Sequence, residues 1–334
     1  MAVTQDDVAA RAGVSRALVS MVMRDSPRVS AGKRDAVRRA ATELGYRPNV
    51  NAALLARHRT MILGVVVPDL LNPVFFQLLV QIELIAETFG YVVLPALGDM
   101  STIQERAAID RFRGHRVDGI ILIGTRLPVE EIQALSQQLP TATIGRRVAG
   151  VACTAVDSRL AGRMATEHLL ELGHRRIVHV DGGTNPGCAS RRRGYIEAMR
   201  AAGLADSVQV VVGDGTEARG MAAARQLLTG GEPPSAIFAA NDLTALGVLA
   251  VARELEVRVP AELSVVGFDN TPLSAFQYVD LTSVSQPIDA LAASAVQALM
   301  DRIAGVSKGA GRTILHPPTL RLRGSTAPAS RAES

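Results

Sequence analysis

Residues 13–24 read GVSRALVSMVMR, a pattern with two faces. Val14, Leu18, Val19, Val22 and Met23 recur at helical spacing, while Ser15, Arg16, Ser20 and Arg24 fall between them. About three turns of helix with one apolar and one hydroxyl- and guanidinium-bearing stripe must meet a core on one side and a polar partner on the other. The flanking residues frame it. Thr4 precedes the apolar run Val8, Ala9, Ala12 and has Asp7 three residues on, an N-terminal capping arrangement; Gly13 marks the end of that first helix. Ser15 then caps the second helix, predicted to run to about Met23. Ser30 caps a third, apolar at Val37, Ala41 and Leu44 and stopped by Gly45. Two short helices joined by a tight glycine turn and braced by a third form a helix-turn-helix, whose second helix enters the DNA major groove.

Charge points to the same partner. The 334-residue chain carries +4 overall, yet residues 1–60 hold eleven Lys/Arg against five Asp/Glu, which is +6 and leaves −2 for the rest. A basic, patterned head on a nearly neutral body is the footprint of a polyanion-binding module. The next segment, YRPNVNAALLARHRT (46–60), has Pro48 to break the third helix, Asn49 to cap a short one over Val50–Ala56, and the pair Leu54–Leu55. So short a helix is marginal alone in water, and leucine is a wedge between minor-groove base steps. Residues 46–60 therefore read as a hinge that orders on DNA, in preference to a plain linker.

From residue 61 strand-like runs alternate with helical ones: ILGVVV, Phe75–Phe89, YVVLPAL, Ile103–Phe112, GIILIG, Val129–Gln138 and TATIG. The rhythm returns with RIVHVDG, Tyr195–Ala202, VQVVVGD, Ala218–Leu228, AIFAAN, Leu243–Leu255 and LSVVGFD. Such alternation predicts an α/β body of two lobes, each a doubly wound parallel sheet. Ligands of such sheets sit beyond the carboxyl ends of the strands. That rule marks a cleft at Asp69, Gly124–Thr125, Gly145–Arg146, Asp181–Arg191, Asn241–Asp242 and Asp269, with Asn72 just past the first strand. Asp269 and Asn241 suit paired hydroxyls, Arg191 a hydroxyl or an anion, and Phe75 or Phe76 an apolar ring face. Each of these is as ordinary a turn residue when taken singly; it is their convergence that favours a pocket.

Other classes find little support. MILGVVVP (61–68) stops at Asp69 and reads as a buried strand, not a membrane span. MAVTQDDVAA lacks the basic-then-apolar pattern of an export signal, so a cytoplasmic, nucleoid-associated protein is expected in preference to a solute-binding protein without a DNA role. Cys153 and Cys188 read as reduced, buried thiols. GGTNPGCAS (182–190) lacks the lysine-and-hydroxyl ending of a phosphate loop, and no G-x-S-x-G occurs. His58, His115, His168, His174, His179 and His316 show no metal-ligand spacing. Neither catalysis nor a metal or other cofactor is expected.

The arrangement TQDDVAARAGVSRALVSMVMR…RVSAGKRDAVRRAATELGYRPNVNAALLA resembles the LacI/GalR family of bacterial transcriptional regulators. Further matching stretches are ILGVVVPDLLNPVFF, RVDGIILIG, HLLELGHRRIVHVDG, SAIFAANDLTALG, LSVVGFDNTPLS, LTSVSQP and LRLRGST, so the likeness spans almost the whole chain. The resemblance implies an operator-binding regulator, a repressor by default. Its two-lobed periplasmic-binding-protein-like body would take a sugar, or alternatively a nucleoside or nucleobase, in its cleft. It places the groove-facing positions at Ser15, Arg16, Ala17, Ser20, Met21 and Arg24, the backbone contacts at Thr4, Ser30 and Tyr46, and the hinge contacts at Asn49 and Leu55. Lys33 is expected on a phosphate. Met21 stands where arginine is usual, Ala17 can meet little beyond a thymine methyl, and Arg24 replaces a frequent asparagine, so base reading leans on Arg16 with Arg24 beside it. In the cleft, Gly145 replaces a frequent aspartate, Gly215 an aromatic and Val74 a phenylalanine. The expected domains are 1–45 for DNA, 46–60 for the hinge and 61–326 for effector binding and dimerisation, with a disordered tail over 327–334. Lobe 1 takes about 61–156 and 286–315, and lobe 2 about 157–285 and 316–326. A homodimer is expected, because the LRLRGSTAPASRAES end has no apolar heptads to build a tetramer.

Overall fold

A computed structural model describes residues 3–23, 26, 28–46, 59–306 and 311–329. The chain divides into two compact units, Met1–Thr60 and Met61–Ser334. The first holds α1 (Gln5–Ala12), α2 (Arg16–Met23) and α3 (Ala31–Glu43). Thr4 opens α1 with a reciprocal capping box: its hydroxyl accepts from the Asp7 amide at 3.3 Å, and its own amide donates to the Asp7 carboxylate at 2.8 Å. Gly13, at φ +66°, supplies the left-handed residue that ends α1 and turns the chain into α2. The Ser15 hydroxyl then accepts from the Leu18 amide at 3.2 Å. Ser30 occupies the cap position of α3, but its side chain makes no capping bond; the loop is held by Arg34 Nη2, which donates to the Ser26 carbonyl at 2.7 Å. Val8, Val19 and Val37 are wholly buried. At about 1.5–3 kcal/mol for each buried side chain, they hold together helices too short to persist singly.

The second unit is two parallel-dominated sheets. In chain order it runs β1 (Ile62–Val67), α4 (Pro73–Thr88), β2 (Val92–Leu97), α5 (Thr102–Gly114), β3 (Gly119–Ile123), α6 (Val129–Gln138), β4 (Thr141–Ile144) and β5 (Ala152–Val156). It continues with α7 (Ser158–Glu171), β6 (Ile177–Val180), α8 (Cys188–Ala201), β7 (Gln209–Val211), α9 (Glu217–Leu228), β8 (Ala236–Ala239), α10 (Asp242–Glu254) and β9 (Ser264–Asp269). It closes with β10 (Thr282–Ser285), α11 (Ile288–Ile303), β11 (Thr313–His316) and β12 (Thr319–Arg321). The sheet orders are β2-β1-β3-β4-β5-β11 and β7-β6-β8-β9-β10-β12, and β12 alone among the described strands is antiparallel to its neighbour. Strand order reverses between β1 and β3 and between β6 and β8, which opens a crevice at those carboxyl ends.

The chain passes between the sheets at β5–α7, β10–α11 and β11–β12, so α11 returns to the first lobe. There Leu291, Ala292, Ala295, Val296 and Leu299 pack with Leu63, Val65 and Ile121. The alternation of strand and helix omits β5, β10, β11 and β12, which include the hydroxyl-rich run TSVS; sheet partners, not periodicity, make them strands. The helix expected over Tyr195–Ala202 begins earlier, at Cys188, because its first turn packs on α7: a Cβ at Gly162 would overlap the Arg191 carbonyl. The tail also departs from expectation. Residues 327–329 are held, since the Ala327 amide donates to Ser264 Oγ at 3.1 Å and the Ala329 amide to the Leu172 carbonyl at 2.8 Å. Apolar periodicity carries no trace of such backbone bonds. No described helix is long and apolar enough to cross a membrane.

Candidate DNA interface and ligand cleft

The polar face of α2 is built by the packing of the other. Val19 and Val22 are buried in the first unit's core, which turns Ser15, Arg16 and Ala17 outward and leaves Ser20 half-buried. Arg16 is held only loosely, with Asp6 Oδ2 at 3.6 Å and both side chains about two-thirds exposed. An exposed pair of this kind contributes little to stability, so the guanidinium is available to a stronger acceptor. Met21 is half-buried and packs against the core, as does Tyr46. Thr4, Ser30 and Lys33 are exposed. Arg24, Asn49 and Leu55 lie outside the described residues.

In the second unit the polar strand ends of the two lobes meet. Asn72 caps α4, its Oδ1 accepting from the Val74 amide at 3.2 Å, and its Nδ2 donates across the crevice to Asp269 Oδ2 at 3.3 Å. The other Asp269 oxygen accepts from Gln286 Nε2 at 2.6 Å. Asp269 sits at φ +110°, buried at the end of β9. Burial, and then the charge of Asp242, push its pKa up to about 7 against the opposing pull of Arg191. Asp242, itself raised to about 6 by burial, accepts from the Thr271 amide at 2.6 Å and the Ser283 hydroxyl at 2.6 Å. Arg191 is buried with its guanidinium 3.3 Å above the Phe268 ring, donating to the Ala240 carbonyl.

A second bridge lies alongside. Arg126 Nη2 donates to Asn185 Oδ1 at 2.5 Å, from lobe 1 to lobe 2. Arg146 Nη1 donates to the Thr125 carbonyl at 2.9 Å, and the Thr125 hydroxyl donates to buried Glu105.

Other expected residues have local partners. Asp69 Oδ1 accepts from the Leu71 amide at 2.7 Å, closing its own turn. Asn241 caps α10, its Oδ1 accepting from the Thr244 amide at 2.9 Å and its Nδ2 donating to the Gly215 carbonyl at 2.8 Å. Asp181 is buried and paired with Arg192 at 2.5 Å. Phe75 packs against the lobe 1 core, whereas Phe76 is 56% exposed. Asn185 falls within the marked stretch Asp181–Arg191, whereas Arg126, Gln286 and Phe268 were not legible as site residues, although Arg126 and Gln286 each follow a strand and obey the same strand-end rule.

Comparison with known proteins places both units. Residues 4–49 match the family described as bacterial regulatory proteins, lacI family, and residues 166–326 match the periplasmic binding protein-like domain. The HTH-type transcriptional repressor CytR of Escherichia coli (strain K12) is 34% identical over 332 residues, covering 97% of this chain and 96% of its own. A crystal structure of the lac repressor dimer bound to operator and the anti-inducer ONPF is 27% identical, with a TM-score of 0.87 over 98% of this chain and 100% of its own. A complex of the transcriptional regulator CelR with cellobiose is 32% identical, with a TM-score of 0.72 over 97% and 99%.

Proposed function

The chain belongs to the lacI family of bacterial regulatory proteins, and on that premise we propose that it represses transcription by binding operator DNA, under the control of a sugar-like effector in the crevice between its lobes. Its relatives are transcriptional regulators, not enzymes, and so is this chain. The observation that carries the effector reading is the pair of direct bridges across the crevice, Asn72 to Asp269 and Arg126 to Asn185. Hydroxyl groups of a bound polyol offer these same donors and acceptors alternative partners. A ligand that replaces direct bridges by its own favours one lobe arrangement over another, and only such differential binding shifts a conformational equilibrium.

On the DNA side, Arg16 is the base reader, supported by Ser15, Ala17, Ser20 and Met21. Thr4, Ser30, Lys33 and Tyr46 take the sugar-phosphate backbone, and Arg24, Asn49 and Leu55 complete the contacts. In the crevice, Asp269, Asn72, Asp69 and Asn241 take hydroxyls, Arg191, Arg146 and Thr125 add polar contacts, and Phe75 lines an apolar face. The working form is a homodimer in the cytoplasm. Exposed Val92 and Leu97 on edge strand β2, and the exposed Phe276–Tyr278 ring pair at 5.6 Å, give both lobes apolar surface for a second copy. A gel shift with DNA from upstream of its own gene, titrated with a panel of sugars, tests the reading. One sugar is expected to change the shift; specific DNA binding that none of them alters would leave the crevice without its proposed role.

A further inference from the structure

The arginines of the crevice are balanced differently from those elsewhere in the body. On the surface, arginines pair with carboxylates: Arg106 with Glu131 at 2.7 Å, Arg159 with Glu197 at 2.7 Å, Arg225 with Glu254 at 2.6 Å. In the crevice, the guanidinium hydrogen bonds of Arg126, Arg146 and Arg191 go to uncharged oxygens, those of the Asn185 amide and the Thr125 and Ala240 carbonyls. Arg126 Nε and Arg191 Nε are buried donors without an acceptor among the described residues. Arg191 faces Asp269, which offsets its charge in part. Arg126 and Arg146 have one carboxylate near them, buried Glu105, whose oxygens accept from the Thr125 hydroxyl and the Arg126 amide.

The two arginines also belong to one edge of the crevice. The bond from Arg146 to the Thr125 carbonyl sets its side chain one residue from Arg126. Across the crevice Asn185 meets Arg126, and a Cβ at Gly145 would lie 3.9 Å from Pro186. Position 145, beside Arg146, carries no side chain that could neutralise it. Two guanidinium groups beside one carboxylate leave a net positive charge, and planar guanidinium forks match the oxygens of a phosphate or carboxylate.

We infer that the effector is an anionic polyol, its phosphate or carboxylate held by Arg126 and Arg146 and its hydroxyls by the Asn72–Asp269 side of the same crevice. This inference rests on the crevice being the effector site. Calorimetric titration of the full chain at fixed ionic strength, with inorganic phosphate, glucose 6-phosphate, gluconate and glucose, tests it. The anions are expected to bind at least tenfold tighter than glucose, and the stronger of phosphate and gluconate identifies the group. In the Arg126→Gln/Arg146→Gln variant that preference is lost. Arg126→Lys, which keeps the charge without the fork, retains part of it, and Arg193→Gln, an exposed arginine on α8, binds as the parent does. Circular dichroism checks that each variant is folded. Anions that bind no better than chloride, or equally well to the double variant, overturn the inference. Glucose binding without any anion preference also overturns it, while leaving the sugar-controlled repressor standing.

Discussion

Replacing Asp269 with asparagine separates what this carboxylate costs in stability from what it does. The group is 5% exposed and its pKa is raised from 3.8 to about 7, first by burial and then by the charge of Asp242. Folding therefore stabilises the protonated form. That contribution is fully present below pH 4 and is lost as the pH rises through about 7, so at pH 8 the ionised group opposes folding. About three units at 1.36 kcal/mol each amounts to ~4 kcal/mol. Asparagine removes the charge and tolerates the positive φ, but it has one acceptor oxygen where the carboxylate has two. One of the bonds from Asn72 Nδ2 and Gln286 Nε2 then loses its acceptor, which costs about 1–3 kcal/mol. The net expectation for Asp269→Asn at pH 8 is a gain of about 1–3 kcal/mol, together with a strongly weakened effector response and retained operator binding. Urea unfolding of the full chain at pH 5 and pH 8 reads it. The advantage of the variant should grow by roughly 2–3 kcal/mol between the two, from the two pH units that lie below the raised value. An advantage that does not change with pH, or a normal effector response, would refute the reasoning.

Other outcomes follow from the same structure. Hydroxyl donors favour the ionised form of Asp269, so effector binding should release a proton near neutrality, and affinity should fall with acid by up to about tenfold per unit below pH 7; calorimetry in buffers of different ionisation enthalpy detects the proton, and Asp269→Asn should abolish it. Arg16→Ala should cost about 1–3 kcal/mol at the operator and relax preference at one base position, whereas Lys33→Ala should weaken all sequences alike and lower the salt slope by about one; identical behaviour of the two would void the groove assignment. Removing residues 1–60 should abolish DNA binding while effector affinity persists, as calorimetry on the remaining unit will show. Light scattering of the free protein should give a dimer, and a clean tetramer would contradict it.

Much of this was written locally in the chain, and what was not has a common cause. The first unit follows from short-range chemistry: Thr4 with Asp7, Gly13 at positive φ and the spacing of Val19 and Val22 each act within a few residues. The two lobes follow from apolar runs such as ILGVVV and GIILI, long enough for periodicity to speak. Strands such as β10 (TSVS) exist because β9 and β12 flank them, a tertiary fact. The strand-end rule located Asn72, Thr125 and Asp269, but not their pairing. Asn72 meets Asp269 across 197 residues and Arg126 meets Asn185 across 59, and nothing near either position encodes its partner. Asn241 shows the opposite limit: it obeys the rule, yet its side chain is engaged as the cap of α10.

The central claim is that DNA and effector are coupled through a shared conformational equilibrium, and thermodynamic reciprocity tests it directly. Operator affinity is measured with and without saturating effector, and effector affinity with and without saturating operator. The account predicts two equal ratios, about 5–150-fold for a coupling of 1–3 kcal/mol. Ratios of one in both titrations, with each ligand bound normally, would contradict it.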